Sequence, residues 1–87
     1  MYKYIIVGSG KQGTAIAYDL ARFGKASRII LADIDEQSAK DSSERVNGLL
    51  GSDIVESIYL DIYDKNKIVD ALINMDVMIS AVPYFHN

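Results

Sequence analysis

The sequence contains no cysteine, one histidine and one proline. Without cysteine the chain can form neither disulfide bonds nor thiolate metal sites. It also has no apolar run near the roughly 20 residues that span a bilayer. The first apolar run, YIIV at residues 4–7, has no basic region before it and no cleavage site after it. We therefore expect no membrane segment, no export signal and a cytoplasmic location.

Positive charge is also scarce. Nine lysines and arginines are scattered along the 87 residues, and twelve acidic residues bring the net charge to −3. Nucleic-acid binding requires a concentrated basic face, so a nucleic-acid partner is not expected. Hydrophobic residues make up 49% of the sequence and charged residues 24%, as in folded soluble proteins. The length suits a single small domain covering residues 1–87.

Apolar runs alternate with segments of helical periodicity. The runs predict strands at residues 2–7, 27–32, 53–60 and 76–82, and the segments between them predict helices at 14–23, 36–50 and from Asp64 onward. Asp35 and Asp64 are placed to cap the second and third helices. The third helix is predicted to bury Ile68, Val69, Leu72 and Ile73. Nearly unbroken apolar strands separated by helices indicate a parallel sheet covered on both faces.

Three glycines, Gly8, Gly10 and Gly13, lie directly between the first strand and the first helix. Gly8 allows a sharp turn out of the strand, Gly10 lets a pyrophosphate approach the backbone, and Gly13 lets the helix pack closely on the sheet. The start of the helix presents free N–H groups to the phosphates. Because Thr14 follows Gly13, this is not a Walker A loop. The pattern predicts a partial Rossmann fold: an α/β domain whose four parallel strands lie in the order 3-2-1-4, with helices on both faces.

Asp33 ends the second predicted strand about 20 residues after Gly13, where a carboxylate accepts hydrogen bonds from the adenosine ribose. Such a carboxylate repels a 2′-phosphate. Ile34 and the residues after it add no basic side chain, and Arg28 lies at the opposite end of the strand. We therefore predict NAD rather than NADP. Asp33 could instead cap the following helix, although Asp35 is better placed to do so.

Other polar residues allow two interpretations each. Asp61 ends the third strand and could bind the adenine amino group, with Ile62 against the ring, or it could close a turn on its own backbone. Lys11 could contact a phosphate or remain solvated, and Gln12 could offer its backbone N–H. His86, the single histidine, has no placed partner, so we assign no catalytic residue and no metal site.

The segments VGSGKQGTAIAYDLAR and DVMISAVPYFHN resemble the opening and the fourth strand with its Pro-Tyr turn in saccharopine dehydrogenase-like proteins, including lysine 6-dehydrogenases. LADIDEQSAK and LDIYD resemble the ends of that family's second and third strands. The resemblance covers essentially the whole chain, and ISAVPYFHN is its most discriminating part.

This resemblance implies an NAD(P)-dependent oxidoreductase that acts on an amino acid, an imine or a secondary amine. It further implies that residues 81–83 pass close to the ribose and pyrophosphate. The predicted cofactor-binding set is Gly8, Ser9, Gly10, Lys11, Gln12, Gly13, Asp33, Ile34, Asp61, Ile62, Ala81, Val82 and Pro83.

Family members are several hundred residues long, so we expect this chain to be part of a longer enzyme whose catalytic groups lie beyond residue 87. Alone it should not catalyse. One alternative is an NAD-sensing regulatory module without catalysis, and another is a stable domain that retains no binding. The exposed edge of the fourth strand also predicts a homo-oligomer, at least a dimer, that forms through this edge or through the neighbouring helix faces.

Overall fold

The computed structural model describes residues 1–81. The elements are β1 (Tyr2–Val7), α1 (Lys11–Phe23), β2 (Ala26–Asp33), α2 (Glu36–Leu50), β3 (Val55–Tyr59), α3 (Lys65–Leu72) and β4 (Val77–Ser80). The four strands form a parallel sheet in the order β3-β2-β1-β4, which confirms the predicted fold. No helix within the described part of the chain is long and apolar enough to cross a membrane.

Each of the two central strands has a buried apolar run, residues 4–7 of β1 and 29–32 of β2, because helices cover both faces of the sheet there. Ile6, Ile29 and Leu31 point to one side, where they form a core with residues of α1 and α2. Ile5 and Ile30 point to the other side, into a smaller core completed by α3. This alternation follows from the period of two along a strand. The strand order places β3 and β4 at the two edges of the sheet.

The second and third helices begin where the sequence predicts. The Asp35 side chain accepts a hydrogen bond from the N–H of Ser38, and Asp64 accepts from the N–H groups of Asn66 and Lys67. Each carboxylate satisfies donors that the first helical turn leaves free and opposes the positive end of the helix dipole. Helix α2 ends at Gly51, whose φ of 66° lies in the left-handed region.

Several predicted boundaries differ from those of the structure, including those of β2, which spans Ala26–Asp33 rather than residues 27–32. Helix α1 begins at Lys11 rather than Thr14, so Gly13 lies in its first turn. The apolar periodicity missed this turn because Lys11 and Gln12 are polar and exposed and Gly13 has no side chain. Strand β3 is shorter than predicted, and β4 ends at Ser80, while residue 82 lies outside the described part. Both are edge strands, which pair on one side only, so pairing ends earlier than the apolar runs.

Helix α3 buries fewer side chains than predicted. Ile68 and Leu72 are half-buried against the core, but Val69 is 61% exposed and Ile73 is 59% exposed. An eight-residue helix contacts the sheet along one narrow stripe, which here follows the i, i+4 spacing of Ile68 and Leu72. The adjacent stripe therefore faces outward, and the prediction of burial for Val69 and Ile73 was wrong.

Candidate functional site

The predicted site residues meet at the carboxyl edge of the sheet. The register aligns Val7 with Ala32 on one side and with Ser80 on the other, and Asp33 with Tyr59. The loop after β1, the end of β2 and the turn after β3 consequently emerge side by side. In open α/β sheets, ligands bind at this edge, where the strand order reverses between β1 and its neighbours.

The glycine loop is shaped by two glycines that no other residue could replace without strain. Gly8 has a φ of 104°, and its N–H donates to the carbonyl oxygen of Ala32 at 2.8 Å. A Cβ placed on Gly13 would lie 1.9 Å from the Gly8 carbonyl oxygen. The first turn of α1 therefore packs directly against the turn out of β1, and the buried Ala17 continues this close contact.

The start of α1 is open. Gly10 is the N-cap residue and makes no side-chain cap hydrogen bond, and the first turn contains no acidic residue. A Cβ on Gly10 would meet no atom within 4 Å. Lys11 and Gln12 are exposed beside it. The first turn thus combines N–H groups, the positive helix end and free space, which together suit a diphosphate.

Ser9 is fully buried, and its hydrogen bonds fix the conformation of the glycine loop. Its N–H and its hydroxyl contact Asp33 Oδ2 at 2.8 and 2.7 Å. Its carbonyl oxygen accepts hydrogen bonds from Thr14 Oγ1 at 3.0 Å and from Ser42 Oγ at 2.7 Å. Ser9 therefore anchors the loop to β2 and α2, and its own N–H is engaged by Asp33.

Asp33 lies partly buried across the loop, and its Oδ1 accepts the N–H of Asp35 at 2.9 Å. Partial burial acts to raise the pKa of this carboxyl. The hydrogen bonds from Asp35 and Ser9, together with one from the N–H of Ile34, act in the opposite direction and outweigh burial, so the pKa of Asp33 lies below its ordinary value. The carboxylate is ionised at neutral pH.

Arg28 does not offset this charge. It lies near the other end of β2, where its Nε donates to Glu56 Oε2 at 2.6 Å and its NH2 nitrogen donates to Oε1 at 3.1 Å. Arg28 is therefore remote from Asp33, as the sequence predicts.

The turn after β3 is closed by its own aspartate. Asp61 Oδ1 accepts the N–H of Tyr63 at 3.0 Å, and the Asp61 carbonyl oxygen accepts the N–H of Asp64 at 3.1 Å. Ile62 is buried in the core on the α3 side. The turn interpretation therefore describes the structure, and contact of Asp61 and Ile62 with adenine stays a prediction.

The remaining predicted residues lie along the same edge or outside the described residues. Ile34 is half-exposed directly after Asp33. Ala81 is buried, and its N–H donates to the Val7 carbonyl oxygen at 2.8 Å, which places the end of β4 beside the glycine loop. Val82, Pro83 and His86 lie beyond residue 81, outside the described part.

A groove of about 630 Å³ between α1 and α2 opens at the glycine loop. Its polar lining includes Ser38, Ser42 and Arg45 of α2. Sequence reasoning missed these residues. The available signal was the i, i+4 spacing of Ser38 and Ser42, which places both hydroxyls on one face of α2. Residues 1–81 contain no group of three or more side chains suited to hold a metal ion.

Residues 4–87 match the family model described as the saccharopine dehydrogenase NADP-binding domain. The chain belongs to this family. The match agrees with the resemblance found in the sequence and with the open glycine loop. No curated protein matches the chain.

Solved structures of two dehydrogenases and a reductase share the fold. Quinate dehydrogenase from Corynebacterium glutamicum in complex with NAD is 25% identical over 95% of this chain, with a TM-score of 0.78. Menthone neomenthol reductase from Mentha piperita is 26% identical over 94%, with a TM-score of 0.74. A shikimate dehydrogenase in complex with NADP⁺ shares the fold at a TM-score of 0.70. The matches cover 28%, 32% and 26% of those chains, so this family member spans about a third of their length or less.

The family match and the fold identify this chain as a dinucleotide-binding domain of the saccharopine dehydrogenase type. Its cofactor is a nicotinamide dinucleotide. The residue assignments within the loop stay predictions that the geometry makes testable.

The free energy of unfolding is expected to fall as the pH drops below about 4. A carboxyl whose pKa is lowered in the folded state stabilises the protein above its unfolded pKa, and this contribution is lost as the pH falls through the folded pKa. Asp33 is one such group. Glu56 is another, because the Arg28 hydrogen bond lowers its pKa more than burial raises it. Urea unfolding at about pH 7 and about pH 3 measures the loss.

Asp33→Asn and Glu56→Gln should each show a smaller loss between the two pH values than the unmodified chain. If Asp33→Asn retained the full pH dependence, the carboxylate would not be stabilised by its hydrogen bonds with the loop.

Proposed function

We propose that the chain binds the ADP half of NAD through the glycine loop and Asp33, as part of an oxidoreductase. The observation that carries the proposal is the open first turn of α1: Gly10 leaves free space above its Cα, and Asp33 lies across the loop as a carboxylate. A diphosphate would occupy the free space at Gly10, and the adenosine ribose would approach the Asp33 carboxylate.

The preference for NAD over NADP rests on charge. A 2′-phosphate near Asp33 would place two negative groups together at a partly buried position, and the arginine of the same strand is remote. The family name refers to NADP, whereas the quinate dehydrogenase structure holds NAD. The Asp33 carboxylate favours NAD.

For the reaction, we propose hydride transfer between the nicotinamide and an amine or imine carbon of an amino acid, as in saccharopine or lysine 6-dehydrogenases. The family description supports this substrate class, and the structural neighbours support dehydrogenase chemistry. Hydride transfer requires the nicotinamide and the substrate to be held in contact, and we assign no residue of this chain to that step. A cytoplasmic location stays a prediction from the sequence.

Calorimetric titration with NAD, NADP and ADP-ribose tests the binding proposal. We expect NAD and ADP-ribose to bind with similar affinity, because both carry the ADP half, and NADP to bind about tenfold more weakly, about 1.4 kcal/mol. Asp33→Asn should bring the NAD and NADP affinities close together. Glu56→Gln removes the same charge on β3, beside Arg28 and remote from Asp33, and should leave their ratio unchanged. Failure of all three ligands to bind would refute the proposal.

We also propose that the chain self-associates through β4. Within residues 1–81 this edge strand pairs with β1 alone, and its Val77 and Met78 side chains are 38% and 40% exposed. The average mass in sedimentation should rise with concentration. Met78→Lys should shift the chain toward monomer, because a charged edge resists pairing, whereas Leu49→Lys on α2 should not. A monodisperse monomer at high concentration would contradict the proposal.

A further inference from the structure

The hydroxyl of Ser9 connects α2 to the carboxylate of Asp33. Ser9 Oγ lies 2.7 Å from Asp33 Oδ2 and 3.1 Å from Ser38 Oγ. A serine hydroxyl has one proton, and the shorter contact with a charged acceptor takes it. Ser38 must then donate its own proton to Ser9. The result is a directed chain of hydrogen bonds from Ser38 through Ser9 to Asp33.

These hydrogen bonds occupy acceptor positions on Asp33 that a bound nucleotide would need. An ionised carboxylate accepts about four hydrogen bonds. Asp33 Oδ2 already accepts from the N–H and the hydroxyl of Ser9, Oδ1 accepts from the N–H of Asp35, and the N–H of Ile34 also bonds to this carboxylate. A ribose with free 2′- and 3′-hydroxyls brings two donors to this carboxylate. The Ser9 hydroxyl therefore competes with one of them.

We propose that Ser9 is a specificity-determining residue, whose hydroxyl occupies an acceptor position of Asp33 and so reduces the preference for NAD over NADP. The proposal rests on the proposed function, in which Asp33 receives the adenosine ribose. A 2′-phosphate brings one ribose donor fewer and gains less from a vacant acceptor. The Ser9 hydrogen bond also draws negative charge away from the surface of the carboxylate, which reduces its repulsion of that phosphate.

Ser9→Ala tests the proposal directly. Alanine is smaller than serine and fits the buried position, and the backbone N–H of residue 9 still holds Asp33 in place. NAD should bind about fivefold more tightly, the equivalent of one net hydrogen bond, whereas NADP should not gain. The ratio of the two dissociation constants should change by about the same factor.

Ser38→Ala provides a second, independent variant. It removes the donor to Ser9 but keeps the backbone N–H that Asp35 caps. Without that donor the Ser9 hydroxyl is a weaker partner for Asp33, so the ratio should move in the same direction by about twofold. Ser43→Ala is the control, because within residues 1–81 the Ser43 hydroxyl donates to the Lys40 carbonyl oxygen of the same helix and does not contact Ser9 or Asp33. It should leave the ratio unchanged.

The outcomes separate this proposal from the one on which it rests. If the unmodified chain binds neither dinucleotide, the proposed function is refuted and this proposal with it. If the unmodified chain binds NAD but neither Ser9→Ala nor Ser38→Ala changes the ratio, only the role of Ser9 is refuted. Weaker NAD binding by a folded Ser9→Ala chain would refute it as well, by showing that the hydroxyl supports the site.

Discussion

Gly13→Ala is expected to lower the free energy of unfolding by about 3 kcal/mol or more. The added Cβ would lie 1.9 Å from the carbonyl oxygen of Gly8 and 2.9 Å from its carbonyl carbon. These atoms belong to the backbone and cannot rotate away, and Gly8 is itself fixed by a hydrogen bond to Ala32. A domain of this size has a total stability of roughly 4–13 kcal/mol, so the loss would be a large part of it. Urea denaturation followed by circular dichroism measures the change.

Gly48→Ala is the matched control for this prediction. Gly48 lies within α2, and a Cβ there would meet no atom within 4 Å. Alanine in an open helical position stabilises a protein by about 0.5–1 kcal/mol relative to glycine. The two substitutions are chemically identical and should change stability in opposite directions. If Gly13→Ala were as stable as the unmodified chain, the inference that α1 packs closely on the glycine loop would be wrong.

The sheet and its order followed from patterns that are local in the sequence. Apolar runs separated by helical segments require a parallel sheet, and the caps at Asp35 and Asp64 lie where acidic residues precede helical periodicity. The glycine spacing predicted the loop because each glycine meets a separate steric condition. The exposure of Val69 was not predictable in the same way, because it depends on how α3 rests on the sheet.

The candidate site, like the fold, was predictable from the sequence only in part. The spacing from Gly13 to Asp33 placed the carboxylate at the correct edge, because that distance is set by one helix and one strand. It could not show which groups the carboxylate binds. The Ser9 contacts with Asp33 and Ser42 join residues that lie 24 and 33 positions apart. Such hydrogen bonds are decided by the packing of α2 beside the loop, which local patterns do not specify.

Gly10→Ala is expected to weaken the binding of NAD and ADP-ribose by about 10- to 100-fold while leaving stability nearly unchanged. Gly10 has a φ of −60°, which alanine readily adopts, and its Cβ would meet no atom of the protein within 4 Å. Nothing within residues 1–81 therefore requires glycine here. The remaining reason for glycine is a ligand that comes close to the backbone, and the proposed function places a diphosphate there, on the first turn of α1.

Adenosine separates this explanation from general damage to the site. It carries the ribose and the adenine but no diphosphate, so Gly10→Ala should leave its weak binding, measured by NMR titration, almost unchanged. A chain that retained full affinity for NAD after Gly10→Ala would show that the diphosphate does not approach position 10. Because Gly13→Ala acts on the fold and Gly10→Ala on the ligand, comparing the two separates the structural function of this loop from its binding function.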